Sequence, residues 1–286
     1  MDCIYEQFAD FMIQMSLLKF PSIGAISPLE TAPWTVALPL THDMNTVLAT
    51  AGFPPNQCPT GPFARASDFL ANVARSMMTI LKTQRNIINS CEIGRRSYIA
   101  RACFAAAIGR YWVTEEDNGP FPLVCDDMGP HNAIADERGR IKAVIDFEFT
   151  NAMPVQFACD VPAWLLPPEW PYEQLNDEFL ALVQPKVYRF ICAVEKREAT
   201  LNCATQPSLS EKMRKSWQSG QFWFNWAARR TMDIDEIFWS FINPRTHDGD
   251  KMLRWKDPPE MELMIENGLA RWQEYYRDAA QRLVDR

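Results

Sequence analysis

The stretch VCDDMGPHNAIADERGRIKAVIDFEF, Val124–Phe149, places six acidic residues and one asparagine around two apolar runs that contain β-branched residues. Such runs, bounded by glycine, proline and acidic residues, predict short strands. We expect strands at Phe121–Cys125, Ala133–Ala135 and Ile141–Phe147, with the turn Asp136–Gly139 joining the last two. The stretch therefore predicts a small β element whose polar residues lie at strand ends and in turns.

Outside this stretch, the apolar residues recur mainly at helical spacing. Helices are expected at about residues 1–20, Ser67–Arg85, Glu92–Trp112, Glu173–Lys196, Leu209–Arg230, Asp233–Ile242 and Pro259–Leu283. The region Pro21–Pro62 is rich in proline, glycine and threonine, and we expect an ordered loop with one extended piece at Trp34–Leu38. The predicted order along the chain is helices, then strands, then helices. In a doubly wound sheet, strands and helices alternate along the chain. The chain is predicted to be one α+β domain, mainly α, over residues 1–286, with the small β element at its centre.

The composition argues against several classes of protein. A formal charge of −7 gives no general attraction to nucleic acid or to anionic lipid. No run reaches the about 18–20 apolar residues that span a bilayer, and the first twenty residues lack the basic start of a secretory signal. We therefore expect a cytoplasmic protein with no nucleic-acid or membrane partner. The eight cysteines and three histidines show no zinc-like spacing, and we expect reduced, mostly buried thiols.

Three polar residues of the central stretch have a spacing that suits phosphoryl transfer. Asp127 and Asn132 lie five residues apart in a loop that leaves a strand, and Asp146 ends the next strong strand. Kinase-like catalytic loops use an aspartate to accept the proton of the substrate hydroxyl and an asparagine five residues later to bind metal. Mg²⁺ prefers oxygen ligands, so Asn132 and Asp146 are its predicted ligands. The alternative is that these residues only hydrogen-bond their local turns.

The residues around these positions carry a family resemblance. The segment CDDMGPHN at 125–132, followed by VIDFEF at 144–149, resembles the motifs HGDxxxxN and IDWE or IDFE of the aminoglycoside phosphotransferase and choline kinase-like superfamily. The segments QFADFMIQMSLLKFPSIG at 7–24, TQRN at 83–86 and LSEKMRKSWQSGQFWFNWAARRTMDIDEIFW at 209–239 are similar to a fungal branch of it. The resemblance thus extends over most of the chain.

This resemblance implies the helical carboxy-terminal lobe of a protein-kinase-like fold, with a catalytic segment at 121–149 and a helical substrate region at 160–286. It implies ATP and Mg²⁺ as cofactors and a small-molecule hydroxyl as substrate. Asp127 would be the catalytic base, and Asn132 and Asp146 would bind the metal and, through it, the nucleotide. Glu148 would be a carboxylate on the substrate side or would hydrogen-bond to a residue that binds the metal. Asp160 would cap a helix.

Two features differ from the family pattern. Cys125 stands where the family has histidine, and Asp126 stands where it has glycine, which makes Asp126 the alternative base or a substrate-side group. Residues 1–20 also contain no phosphate-covering loop or ATP-contacting lysine, so the resemblance implies that a nucleotide-binding lobe must be supplied for activity. An exposed apolar strip along residues 4–18, open to a protein partner, is expected where that lobe would dock.

Other functions remain open from the sequence. The chain could be an inactive pseudoenzyme, an interaction module or a truncated gene product, and a metal-dependent hydrolase using the same carboxylates is a further alternative. His131 has no second metal ligand near it in the sequence, which favours a merely exposed side chain. The aromatic segment 217–226 favours a helical core face over a base-stacking surface. Trp164–Pro171 is either a wall of a substrate cleft or part of the core.

Overall fold

The structure is a computed structural model that describes residues 2–29, 32–39, 41–167, 176–201, 207–243 and 258–284. Within them the α-helices are α1 (Asp2–Leu17), α2 (His42–Thr50), α3 (Ala66–Thr83), α4 (Cys91–Tyr111), α5 (Val155–Ala158), α6 (Asp177–Leu201), α7 (Leu209–Ser219), α8 (Gln221–Arg229), α9 (Ile234–Ile237) and α10 (Pro259–Val284). A π-helical turn, Phe238–Ile242, continues α9. The prediction of a mainly helical α+β chain is confirmed.

The strands form more sheet than the sequence predicted. They are β1 (Lys19–Phe20), β2 (Gly24–Leu29), β3 (Ala32–Leu38), β4 (Phe121–Cys125), β5 (Ala133–Ala135), β6 (Ile141–Val144) and β7 (Thr150–Ala152). A five-stranded antiparallel sheet has the order β1-β4-β7-β2-β3, and β5 and β6 form a separate hairpin. The extended piece expected at Trp34–Leu38 is confirmed as part of β3, but the expected loop over the rest of Pro21–Pro62 is wrong, because that region also contains β2 and helix α2.

Helix α1 joins the sheet side of the molecule to the helical side. Its residues Tyr5, Phe8 and Ile13 are buried, so the expected exposed apolar strip along residues 4–18 is wrong except near its ends. The Tyr5 ring lies 5.7 Å from that of Phe190 on α6. At its other contact, the Gln7 side chain donates to the Gly139 carbonyl and accepts from the backbone N–H of Ile141. Because one glutamine satisfies backbone groups at the turn and at the start of β6, α1 fixes the position of the β5–β6 hairpin.

The core extends from α1 to the aromatic residues of α7 and α8. Trp217 and the apolar residues of α8 are buried, which confirms the core interpretation of the aromatic segment at 217–226. The Phe224 ring stacks between those of Phe104 and Tyr111 at 4.6 and 5.0 Å. These rings anchor α8 against α4, so the residues at the end of α8 have a fixed position relative to the rest of the chain.

The cysteines differ in part from the expectation. The seven that lie within the described residues are all free, as predicted, but only Cys159 among them is buried, and three are exposed. Cys203 lies outside the described residues. No described helix is long and apolar enough to cross a membrane.

Candidate functional site

The residues predicted for phosphoryl transfer lie in the two connections that flank the β5–β6 hairpin. Strand β4 ends at Cys125, and a loop and the short 3₁₀ turn Pro130–Asn132 lead into β5. In the hairpin, Ala133 pairs with Val144, and the backbone N–H of Ile145 donates to the Asn132 carbonyl at 2.9 Å. The hairpin therefore brings Asp146, which directly follows Ile145, close to Asn132, as the sequence predicted.

Asn132 is buried and fastened to Asp127. Its Nδ2 donates to the Asp127 carbonyl oxygen at 2.9 Å and to the Asp127 carboxylate Oδ2 at 3.1 Å. An amide that uses its nitrogen in this way turns its Oδ1 away from Asp127 and leaves that oxygen as an acceptor. The predicted base and the predicted metal ligand are thus held in one rigid unit.

Asp146 has an unusual backbone conformation. Its φ is +63°, and it is the non-glycine residue for which positive φ occurs within the described residues. This left-handed conformation costs an L-residue roughly 1–2 kcal/mol, and such strain concentrates at functional sites. Asp146 is the second residue after the end of β6. The Asp146 side chain is exposed.

His131 lies beside Asp127. Its Nε2 is 3.3 Å from Asp127 Oδ1, and both side chains are about half exposed. The sequence correctly predicted an exposed histidine but gave it no partner. Asp127 consequently has one carboxylate oxygen bound by Asn132 and the other next to an imidazole.

Asp126 and Asp127 point in different directions, as expected for neighbours on an extended loop. The Asp126 carboxylate pairs with Arg229 at 3.0 Å, and both side chains are buried. Arg229 also pairs with Asp160 at 3.0 Å and lies over the ring of Phe157. A single guanidinium at the end of α8 therefore shares its one positive charge between an acid of the loop and an acid that precedes the helical half of the chain.

Asp160 does not cap a helix, so that expectation is wrong. Its carboxylate accepts hydrogen bonds from Ser216, Asn225 and Arg229, which lie on α7 and α8. Burial raises the pKa of Asp160 to about 7, while Arg229 acts in the opposite direction. The role of Asp160 is to tie the central β element to α7 and α8.

The remaining predicted residues make fewer contacts. Glu148 is exposed, and among the described residues its carboxylate has no hydrogen-bond or ion-pair partner. Burial raises the pKa of the Cys125 thiol, so this residue is a neutral substitute for the histidine of the motif. Asp146 and Glu148 lie two residues apart on an exposed segment, which leaves both carboxylates accessible to a ligand.

A cavity of about 560 Å³ opens beside Asp127. Asp126, Asp127 and His131 border it on the loop, and Trp164, Trp223 and Trp226 contribute its rings. We call it the tryptophan cavity. Its volume suits a small organic ligand. Trp164, Leu166 and Pro167 line it as predicted for the cleft wall, and residues 168–171 of that prediction lie outside the described residues.

Trp164 also packs in the core, which confirms that interpretation of its segment, while its role in a substrate cleft stays a prediction. Its ring lies 5.2 Å from that of Phe8 and 5.8 Å from that of Phe190. Its indole nitrogen is buried and has no hydrogen-bond partner among the described residues. The sequence did not predict that α8 would contribute Trp223, Trp226 and Arg230 to the same cavity.

Two of the predicted site residues, Asn132 and Asp146, carry oxygen donors for a metal ion. Within the described residues there is no group of three histidine, cysteine, aspartate or glutamate side chains that could hold a metal ion. Asn132 Oδ1 and the Asp146 carboxylate are both hard oxygen donors, and Mg²⁺ in nucleotide sites is commonly held by one or two protein oxygens together with phosphates and water. Both side chains therefore carry the kind of oxygen donor that Mg²⁺ takes.

A scan against protein-family models and searches of curated proteins and of solved structures returned no match to this chain. The family resemblance of the motifs stays a hypothesis, and the function has to be inferred from the geometry of the site.

Proposed function

We propose that this chain is an aminoglycoside phosphotransferase-like lobe that transfers the γ-phosphoryl group of ATP to the hydroxyl of a small molecule. A nucleotide-binding lobe that covers the phosphates is part of this proposal. The observation that carries it is the double hydrogen bond from Asn132 Nδ2 to Asp127, together with the backbone bond that brings Asp146 next to Asn132. These contacts support a site in which Asp127 would be the base and Asn132 and Asp146 would supply the metal-binding oxygens.

In this mechanism, each residue has a separate task. Asp127 accepts the proton of the acceptor hydroxyl while the hydroxyl oxygen forms its bond to the γ-phosphorus and the bond to the ADP oxygen breaks. Asn132 holds the Asp127 carboxylate in place and offers Oδ1 to the metal, as Asp146 offers its carboxylate. Mg²⁺, when bound, neutralises charge on the phosphates. The tryptophan cavity would hold the acceptor beside Asp127.

Turn-forming acids alone do not account for this arrangement. A structural Asx turn needs a side chain that bonds its own backbone neighbours, as Asp136 does with the N–H groups of Arg138 and Arg140. Asp146 instead holds a strained backbone and an exposed carboxylate. A strained residue whose side chain has no hydrogen-bond or ion-pair partner among the described residues favours a functional role.

The test is Mn²⁺ binding in the presence of ATP, measured by electron paramagnetic resonance, because Mn²⁺ accepts the oxygen ligands that suit Mg²⁺. With the nucleotide-binding lobe present in every sample, we expect binding by the unmodified chain and its loss in Asp146→Ala and Asn132→Ala. Glu137→Ala, at an exposed position of the same hairpin turn, should bind as the unmodified chain does. Asp127→Asn should keep Mn²⁺ binding and lower phosphoryl transfer, assayed with the nucleotide-binding lobe, by about 10²–10⁴-fold.

Equal Mn²⁺ binding in the unmodified chain and in Asp146→Ala would contradict the proposal. In that case the alternative of an interaction module would be favoured. The observation behind it is a group of exposed apolar residues at the end of α1 and at Phe147, which α1 contacts. Leu17 and Leu18 are 56% and 51% exposed, and Phe147, whose ring lies 5.8 Å from that of Phe11, is 43% exposed. We propose that a protein partner, either the nucleotide-binding lobe or another chain, covers this edge.

A further inference from the structure

We propose that the tryptophan cavity selects an acceptor with a flat apolar body and an anionic group, and that Arg230 binds the anion. This inference rests on the proposed function, since Asp127 supplies the reacting end of the cavity. It adds a substrate class and a specificity-determining residue that the motifs do not indicate. The cavity and the charges around it carry the argument.

The rings of the cavity are held in place by neighbours. Trp223 is 1% exposed and stacks on Phe241 at 3.8 Å, and Trp226 is 7% exposed and stacks with Phe222 at 6.2 Å. These two rings are fixed by their neighbours, and Arg230 also lies over Trp226, so they form the rigid back of the cavity. The half-buried Trp164, Leu166 and Pro167 supply accessible apolar surface, and a flat ligand ring can bind there with little loss of side-chain entropy.

The arginines at the end of α8 are used differently. Arg229 is buried and paired with Asp126 and Asp160, so it has no charge left for a ligand. Arg230 is half-buried, lies over the Trp226 ring at 5.0 Å, and has no carboxylate within ion-pair distance among the described residues. Asp43 is near enough to feel its charge but accepts hydrogen bonds from Thr231 instead. Arg230 is therefore available to an anion.

The charged residues that line the cavity differ in their partners. Asp126 shares Arg229 with Asp160, while Asp127 is a lining acid without an arginine partner among the described residues, and His131 lies beside it. Arg230 would repel a cationic group placed beside it. A ligand carboxylate or phosphate would gain a charge-assisted hydrogen bond from Arg230, and its ring would lie against Trp164, Leu166 and Pro167.

The test uses three probes that share one phenol ring and differ in charge: 4-hydroxyphenylacetate, 4-hydroxyphenethyl alcohol and tyramine. Binding is measured by isothermal titration calorimetry without nucleotide or metal. We expect 4-hydroxyphenylacetate to bind about tenfold more tightly than tyramine, because a hydrogen bond to a charged group contributes roughly that factor. Arg230→Gln should remove the preference, and Arg230→Lys should retain part of it, which separates lost charge from misfolding.

Arg110→Gln is the matched control. Arg110 also lies over an aromatic ring, that of Tyr111 at 5.5 Å, but it borders a different cavity. It should leave the preference unchanged. Equal or tighter binding of tyramine, no binding of any probe at millimolar concentration, or a preference that survives Arg230→Gln would overturn the inference. Because the titration needs no ATP, failure of the Mn²⁺ test with the preference retained would remove the phosphotransferase and leave the anion site.

Discussion

At the scale of single residues, Asp127, Asn132 and Asp146 are the positions that the sequence identified and the hairpin brought together. Their spacing was visible because the loop is local, and residues five apart around a 3₁₀ turn necessarily lie close. The partner of Asp126 was not visible, because Arg229 lies 103 positions away in the sequence. Helical spacing predicts which face of α8 is buried but not which acid an arginine on that face will meet.

The left-handed backbone of Asp146 allows a test that separates function from stability. Asp146→Gly and Asp146→Ala both remove the carboxylate, but glycine adopts φ of +63° without a Cβ clash and alanine does not. We expect the glycine variant to be more stable than the alanine variant by about 1 kcal/mol in urea unfolding. Both should fail to bind Mn²⁺ with ATP. An alanine variant as stable as the glycine variant would show that the strain is absent.

At the scale of elements, the prediction of one helix over Leu209–Arg230 is wrong. The chain ends α7 at Ser219, passes through Gly220 with φ of +78°, and begins α8 at Gln221. The apolar pattern continues across the break, so periodicity alone could not reveal it. The break redirects α8, and this redirection places Trp223, Trp226 and Arg229 near the loop that contains Asp126 and Asp127.

Substitutions at Gly220 and Gly109 together test this account of the break between α7 and α8. Gly220→Ala should destabilise the chain by about 1 kcal/mol, because alanine is strained at positive φ. Gly109 lies inside α4, and a Cβ there would meet nothing within 4 Å. Gly109→Ala should therefore stabilise the chain by roughly 0.5–1 kcal/mol through helix propensity. Chemical denaturation measures both, and effects of equal sign would refute this account of the break.

At the scale of the whole molecule, buried carboxyls couple stability to pH. Burial raises the pKa of Asp43 to about 6 and that of Asp160 to about 7. A raised pKa means that the folded chain binds more protons than the unfolded chain. The stability from each group is complete below its unfolded pKa, near 4, and is lost as pH rises through its folded pKa. These two groups therefore favour folding at mildly acidic pH.

Asp43→Asn tests this coupling, because asparagine keeps an acceptor for Thr231 and does not titrate. Between pH 4 and pH 6.5 the unmodified chain should lose on the order of 1–3 kcal/mol more unfolding free energy than the variant. Glu137→Gln, at an exposed turn position, should follow the unmodified chain. Urea unfolding at several pH values gives the comparison, and parallel curves for Asp43→Asn and the unmodified chain would rule out a raised pKa.

The sequence by itself determined the mainly helical α+β class, the strands β4 and β5, the start of β6, and the hairpin that joins Asp127, Asn132 and Asp146. These features depend on periodicity and on contacts between residues close in the chain, and both are written in the local pattern. Only the tertiary structure decided the five-stranded sheet, the pairing of Arg229 with Asp126 and Asp160, and the position of Arg230 over Trp226 beside the tryptophan cavity. Those features depend on which distant surfaces pack together, and side-chain volume and buried charge select that packing only when the whole chain is folded.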